Sequence, residues 1–371
     1  MDQNNLPSVV FGSYSGSELL DFASDAELFT RLDADSGRWF VVADFEGRIR
    51  GWKFKTTPIT TATSMIHTPT LASQWRGPTL TAWHSSLDAA SYQAAVQHTR
   101  ECIAKGEVYQ ANICRVLSAQ LPAAPHPATL AAVFAGGNPA PFLGYIHVAA
   151  AEQPDADIWL TSASPELFLE ITRDDAGKLT AKSSPIKGTA REASGITSKD
   201  AAENTMITDL MRNDLSRLAV PGTVAVSDFL QLEEHPGLVH LVSTVTAELP
   251  ASAVQRPGYW HNIFALTFPP GSVSGAPKAA ALDLITKLET HHRGPYCGAL
   301  GWVDAATGEA QFAVGIRSFW WEQECQQCGS GTLHFGTGAG ITWGSDPVRE
   351  WQETELKAHR LIALAASGGT A

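Results

Sequence analysis

The chain of 371 residues has no run of about 18 consecutive apolar residues, so no segment reads as a membrane-spanning helix. Its first stretch, MDQNNLPSVV, lacks both the basic and the apolar segment of a secretory leader. Cysteine is scarce and odd in number, at five, which excludes a secreted disulfide framework and points to a reducing, cytoplasmic setting. Cys325 and Cys328 form a lone CxxC in ECQQCGSGT. Zinc needs four ligands and no second pair lies at a fitting spacing, so this segment reads as a hairpin tip. Basic residues are outnumbered, 26 Lys and Arg against 38 Asp and Glu, for a net charge of −12. That balance argues against nucleic acid and against an acidic membrane, both of which need a basic face. A small anion remains possible, because a pocket can be basic on an acidic protein. Repeats, low-complexity stretches and linkers are absent as well.

What is present is a chain with 44% hydrophobic and 17% charged residues, enough to bury a sizeable core. Its length fits one large domain or two intimate subdomains. Residues 1–80 read mostly as strand and turn, with RWFVVADFEGRIRGWKF a hairpin turning at Glu46-Gly47. Tyr92, Val96, Thr99 and Ile103 recur at helical spacing after Ser86 or Asp88, and Gly106 stops that helix. GEVYQANICRVLSAQL, FLGYIHVAA and DIWLTSA read as strands, and Pro165 breaks the last of them just before Glu166. VPGTVAVSDFLQLEEHPGLVHLVSTVTAEL is mostly strand, with His240 inside an apolar stretch where a hydrogen-bonded core histidine is the ordinary reading. FPPGSVSGAPKAAALDLITKLE is a glycine- and serine-rich turn leading into a helix, a place where free backbone N–H groups can meet an anion. RGPYCGALGWVD, QFAVGIRSFWW and TLHFGTGAGIT read as three further strands. Arg317 lies in the second, where a buried guanidinium needs an anionic partner. A final helix is capped by Asp346, begins at Pro347 and runs to about Ala366.

The chemistry concentrates in Ser183–Arg217, SSPIKGTAREASGITSKDAAENTMITDLMRNDLSR. Lys187 sits between an apolar residue and Gly188-Thr189, ahead of Asp200 and Glu203 at i,i+3. Glu350, Glu353 and Lys357 share one face of the last helix at i, i+3 and i+7. Two acidic pairs facing each other across a cleft would repel strongly without a cation. Magnesium suits such an all-oxygen set. Two unrelated, solvated helix surfaces are the alternative.

The segments GEVYQANICR, SASPELFLEI, SSPIKGTAR, ENTMITDLMRNDLSR, VHLVSTV, FPPGSVSGAPK, RGPYCGALGW, VGIRSF and GTGAGITWGSDPVREWQETELKA follow one another as they do in the chorismate-utilising enzymes, which this chain resembles from about residue 85 to 365. Within that family it looks like component I of aminodeoxychorismate synthase. The resemblance implies an α+β fold, two large, mostly antiparallel sheets packed as a sandwich with helices outside. It implies a strand-rich part over 1–84, short for the family, and a chorismate-binding part over 85–371 that is not an independent domain. It implies Mg²⁺ held directly by Glu203 and Glu353, with Asp200 and Glu350 holding metal-bound water; Asp200 stands where a glutamate is usual. Glu166 matches the acid that helps the C4 hydroxyl leave, and His240 the histidine beside the reacting ring. Tyr296, Arg317, the backbone of Gly338, Ala339 and Gly340, and Lys357 match the binders of chorismate's two carboxylates, with Thr189 and Ser272 lining the same pocket. Lys187 matches the nucleophile that separates C4 amination from anthranilate formation, since anthranilate synthases read Pro-Ile-Ala-Gly-Thr at this loop. Gln110 stands where isochorismate and salicylate synthases carry a water-activating lysine. The implied product is 4-amino-4-deoxychorismate, a precursor of para-aminobenzoate and folate. Its nitrogen would come from ammonia supplied by a separate glutamine amidotransferase subunit. Anthranilate synthase component I is the alternative, followed by isochorismate or salicylate synthase and by a non-catalytic chorismate-binding subunit.

Overall fold

Apolar alternation builds most of this chain into strands, and the order in which they pair decides where the site lies. The computed structural model describes residues 6–149, 153–190, 192–235, 238–254, 256–324 and 329–366. The Cys325–Cys328 segment falls outside them. Among the described residues, eighteen strands form one hydrogen-bonded, antiparallel ladder. In chain order they are β1 (Ser8–Phe11), β2 (Tyr14–Ser24), β3 (Arg38–Ala43), β4 (Ile49–Pro58), β5 (His84–Ser85), β6 (Gln110–Leu121), β7 (Phe142–Val148), β8 (Ile158–Ser164) and β9 (Leu167–Arg173). There follow β10 (Leu179–Ser184), β11 (Ile186–Ala190), β12 (Ala225–His235), β13 (Leu238–Leu249), β14 (Gly275–Ala276), β15 (Ala299–Asp304), β16 (Ala310–Val314), β17 (Ser318–Gln323) and β18 (Gly331–Ile341).

Spatially the ladder has two halves. One runs from β12 and β11 through β13, β10, β9, β16, β15, β3 and β4 to β2. The other runs from β1 through β7, β8, β17 and β18 to β6, with β5 and β14 at the far edge. The tight turn between β1 and β2 joins them. The halves face each other: Val9, Ile146 and Leu160 of one line the same narrow gap as Phe40, Val42 and Leu300 of the other, inside the larger core cluster. The expected pair of large antiparallel sheets is therefore present, with the difference that backbone hydrogen bonds at the β1–β2 seam make them continuous.

Helices cover the outside. They are α1 (Asp25–Ala34), the short α2 (Ala62–Ile66) and α3 (Pro69–Ala72), α4 (Ala89–Ala104), α5 (Pro127–Gly137), α6 (Ser198–Ser216), α7 (Tyr259–Thr267), α8 (Lys278–Leu288) and α9 (Pro347–Ala365). A second core lies under α5 and α9, where Leu130, Phe134, Leu361 and Ile362 pack on Phe319 and Phe335 of β17 and β18. Both sides of these strands are thus buried, which is why their sequences read as continuous apolar runs. The capping of α4 by Asp88 and the β3–β4 hairpin agree with the sequence. Two features go beyond it. Residues 1–80 hold α1 as well as strands and turns, and α5 forms where the sequence marks no helix, because apolar residues on every face leave it without the amphipathic stripe that marks one.

The third difference matters more. QFAVGIRSFWW is not one strand: β16 ends at Val314 and β17 starts at Ser318. Arg317 between them takes φ 52, a left-handed conformation outside the regular strand region. β16 pairs in the first half and β17 in the second, so the chain passes from one half to the other at Gly315–Arg317.

Candidate active site

A second passage runs beside the first. β8 belongs to one half and β9 to the other, and Pro165-Glu166 makes the step. The two passages are hydrogen-bonded together, Val314 N–H to the Glu166 carbonyl and Ala163 N–H to the Arg317 carbonyl, each at 3.0 Å. The backbone that the ladder releases is satisfied locally, and both charged side chains reach one cavity of about 1460 Å³. Glu166 is 4% exposed. Burial pushes its carboxyl above the usual range, while the Lys187 charge and a hydrogen bond with Ser272 pull it back.

Lys187 projects from β11 into the same cavity, and its Nζ donates to the Ser272 carbonyl at 2.9 Å. Gly188 follows it at φ 84, and a Cβ there would lie 2.8 Å from the Asp200 Cβ. Glycine therefore does two things at this position: it takes the turn and lets the start of α6 come close. Across the ladder Thr189 pairs with His240, which is 1% exposed and lines the cavity. Ser272 sits on the glycine-rich turn Gly271–Val273. Two cations brace that turn. Lys278 donates to Asp214 at 2.9 Å and to the Thr267 carbonyl at 3.1 Å, and buried Arg293 donates to the Val273 carbonyl at 3.0 Å.

The acids come from two helix starts. Thr197 caps α6, and Asp200 completes a capping box by accepting from the Thr197 N–H at 2.8 Å and hydroxyl at 2.6 Å. Asp200 lines the cavity, but one of its oxygens is thereby committed to the helix end. Glu203 lies one turn on. Asp346 caps α9, placing Glu350, Glu353 and Lys357 along one cavity-lining face. Lys199 stands between the helices, its Nζ 3.6 Å from Glu203 and 3.3 Å from Glu350. Lys357 pairs with Glu353 at 2.6 Å and donates to the Gly338 carbonyl at 3.1 Å. Lys357 holds the Glu353 carboxyl below its usual range, against the opposing effect of burial. Burial raises Glu203, with Lys187 and Lys199 offsetting it.

The donors fit magnesium in kind. They are all carboxylate oxygens, and Glu203 Oε1 is buried without a hydrogen-bond partner. Among the described residues no three such groups stand together as a ready-made metal cluster.

Tyr296, 4% exposed, forms another wall and accepts a weak hydrogen bond from Cys114 Sγ at 3.7 Å. Its phenol O–H stays free to donate. A Cβ on Gly336 would lie 2.1 Å from the Tyr296 ring, so only glycine lets β18 pass behind it. Gly338 and Gly340 line the cavity, whereas the Ala339 side chain is packed in the core. The structure thus gathers Glu166, Lys187, Asp200, Glu203, His240, Ser272, Tyr296, Arg317, Gly338, Gly340, Glu350, Glu353 and Lys357 around one space. Thr189 is located by its strand alone. Lys199 was missed from sequence although it precedes Asp200 and lies i,i+4 from Glu203. Arg360 was missed too, although it continues the Glu350, Glu353, Lys357 stripe by three residues.

Residues 22–363 match the model of the chorismate binding enzyme family, and the chain belongs to that family. It is 31% identical over 310 residues to anthranilate synthase component 1 of Saccharolobus solfataricus, covering 77% of this chain and 64% of that protein. It is 32% identical over 305 residues to aminodeoxychorismate synthase component 1 of Salmonella typhimurium, covering 77% and 61%. The chain spans about three fifths of the length of these curated relatives. The fold is also that of the menaquinone-specific isochorismate synthase of Escherichia coli, at a TM-score of 0.74 and 18% identity, covering 98% of this chain and 90% of the other. Anthranilate synthase component I of Streptococcus pneumoniae superposes at 0.69 and 19% identity, covering 96% and 92%. No described helix is long and apolar enough to cross a membrane.

Proposed function

We propose that this chain aminates chorismate at C4 to give 4-amino-4-deoxychorismate, using ammonia delivered by a glutamine amidotransferase subunit. The observation that carries this reading is Lys187, whose Nζ reaches the cavity beside Glu166 and is held by the Ser272 carbonyl. A lysine ammonium is no nucleophile, and its unperturbed pKa is about 10.4. A buried carboxylate whose pKa is raised is a ready acceptor for that proton. Transfer from Lys187 to Glu166 arms both groups at once, giving a free amine and a carboxylic acid.

The amine then forms a bond to C2 of the ring. The two ring double bonds shift, the C4–O bond breaks, and the hydroxyl leaves as water with the proton of Glu166. Ammonia adds at C4, the double bonds shift back, and the C2–N bond breaks with its electron pair returning to Lys187. The Glu166 carboxylate accepts the proton that the incoming nitrogen sheds. Arg317 and Lys357 hold substrate carboxylates and His240 lies beside the ring. Glu203 and Glu353 would bind Mg²⁺, with Asp200 and Glu350 behind them. The metal would supply Lewis-acid neutralisation of a substrate carboxylate that these acids would otherwise repel.

The test is product identification by mass spectrometry with chorismate, Mg²⁺ and an ammonium salt. 4-Amino-4-deoxychorismate that keeps its enolpyruvyl group is expected. Anthranilate would overturn the reading in favour of the relatives of that name, and no turnover would leave a binding subunit.

A further inference from the structure

Three residues that carry hydrogen-bond donors line one cavity. Arg317 enters from the passage between β16 and β17. Among the described residues its guanidinium makes no hydrogen bond or ion pair. Arg360, on the last turns of α9, is exposed, donates from both Nε, at 3.0 Å, and Nη2 to the Gly137 carbonyl, and has no acidic partner among the described residues. Asn138, which closes α5 by donating its N–H to the Phe134 carbonyl at 2.7 Å, keeps a buried side-chain Nδ2 with no acceptor. All three line the same space. The arrangement is costly as it stands. Burial and then the Arg360 charge lower the pKa of the Arg317 guanidinium from its ordinary value, with Glu166 the opposing influence. A buried N–H donor left unmatched carries its full desolvation penalty. One ligand type would offset both the Arg317 charge and the unmatched Asn138 donor, with the remaining N–H groups of Arg360 at its edge: an anion with several acceptor oxygens on a planar group.

We propose that Arg360 and Asn138 extend the Arg317 seat into a three-donor subsite for one substrate carboxylate, the one farther from the acids of α6 and α9. This rests on the reading that the substrate is chorismate, a dianion. Arg360 and Asn138 are then specificity-determining residues that select a ligand with a carboxylate at each end over one with a single carboxylate. The α9 face explains how. Its N-terminal half presents Glu350 and Glu353 towards one end of the substrate, and seven to ten residues on it presents Arg360 towards the other.

The test uses the full chain with Mg²⁺ and two probes, chorismate and benzoate, the latter a ring with one carboxylate. Dissociation constants are read by calorimetry and steady-state constants by product formation. Arg360→Gln should raise Kd and KM for chorismate about tenfold, as expected for the loss of one charge-assisted hydrogen bond. Benzoate affinity should not change. Arg360→Lys should recover part of the loss, and Asn138→Asp, which puts a negative charge in the seat, should weaken chorismate more than benzoate. Wild-type chorismate affinity in Arg360→Gln would overturn the subsite. So would an equal loss for both probes, which would make Arg360 a tether between α9 and α5. Failure of the wild-type chain itself to bind chorismate would instead overturn the substrate reading.

Discussion

Glu166 and Arg317 sit on the two neighbouring passages between the halves of the ladder, and each passage accepts a hydrogen bond from a residue beside the other. The positions of both charged groups are therefore fixed by the topology of the sheet rather than by a mobile loop. Backbone that has left the ladder is free to adopt the left-handed φ of Arg317 and to aim its side chain inward.

Lys187→Ala should lose at least a hundredfold in turnover while keeping the fold, because β11 is held by its neighbours on β13 and not by this side chain. Wild-type protein incubated with chorismate and no ammonia should yield a peptide containing Lys187 with added mass. An undiminished Lys187→Ala enzyme would remove the nucleophile from the mechanism even if the product were right.

The buried Glu166 carboxyl gives a pH signature. Its folded pKa is raised above the ordinary value of 4.5, so the folded state binds the proton more tightly than the unfolded chain. Its contribution to stability is fully present below that ordinary value and is lost as pH rises through the folded pKa. Glu166→Gln should thus abolish turnover yet melt higher than wild type at pH 7, and the gain should shrink as the pH falls through the folded pKa and be gone below about 4.5. Thermal melts of both proteins across that window decide it; a gain independent of pH would contradict the assignment.

Removing one metal-side acid should separate binding from folding. Glu353→Gln should leave the melting temperature within a few degrees of wild type, since Glu353 is partly exposed and among the described residues pairs with Lys357 alone. It should weaken Mn²⁺ binding, followed by electron paramagnetic resonance, by tenfold or more, and abolish magnesium-dependent turnover. Full activity in excess chelator would exclude the metal altogether.

The brace behind Ser272 is also testable. Lys278→Met strands Asp214 on α6, whose side chain is 8% exposed. A buried pair broken on one side costs about 3–5 kcal/mol, and partial exposure of Lys278 reduces this to about 2 kcal/mol. Denaturant titration reads the cost. Because the same turn positions Ser272, kcat should fall with stability, and Lys278→Arg should restore part of both.

Much of this was legible in the sequence where spacing is short-range. The acids of α6 and α9 recur at helical intervals, and Gly188 and Pro165 mark their turns by local backbone requirements alone. What could not be read is what depends on pairing between distant strands. QFAVGIRSFWW looks like one strand because both of its halves are buried, and nothing local reveals that they belong to different neighbours. Lys199 reads as an ordinary i,i+4 partner of Glu203 until Glu350, far along the chain, is brought to its other side. Asp200 was assigned to metal-bound water by resemblance, and the structure shows that its carboxylate also caps α6.

The strand Arg38–Ala43 lies in the middle of the ladder, bonded on one side to Ile49–Pro58 and on the other to Ala299–Asp304. During synthesis from the N-terminus its second edge therefore stays bare until most of the chain has been made. An apolar strand with an open edge is prone to pair with another molecule. Late-emerging β15 is what retires that hazard, so a nascent chain stalled before it should depend on holding chaperones in a way the finished protein does not.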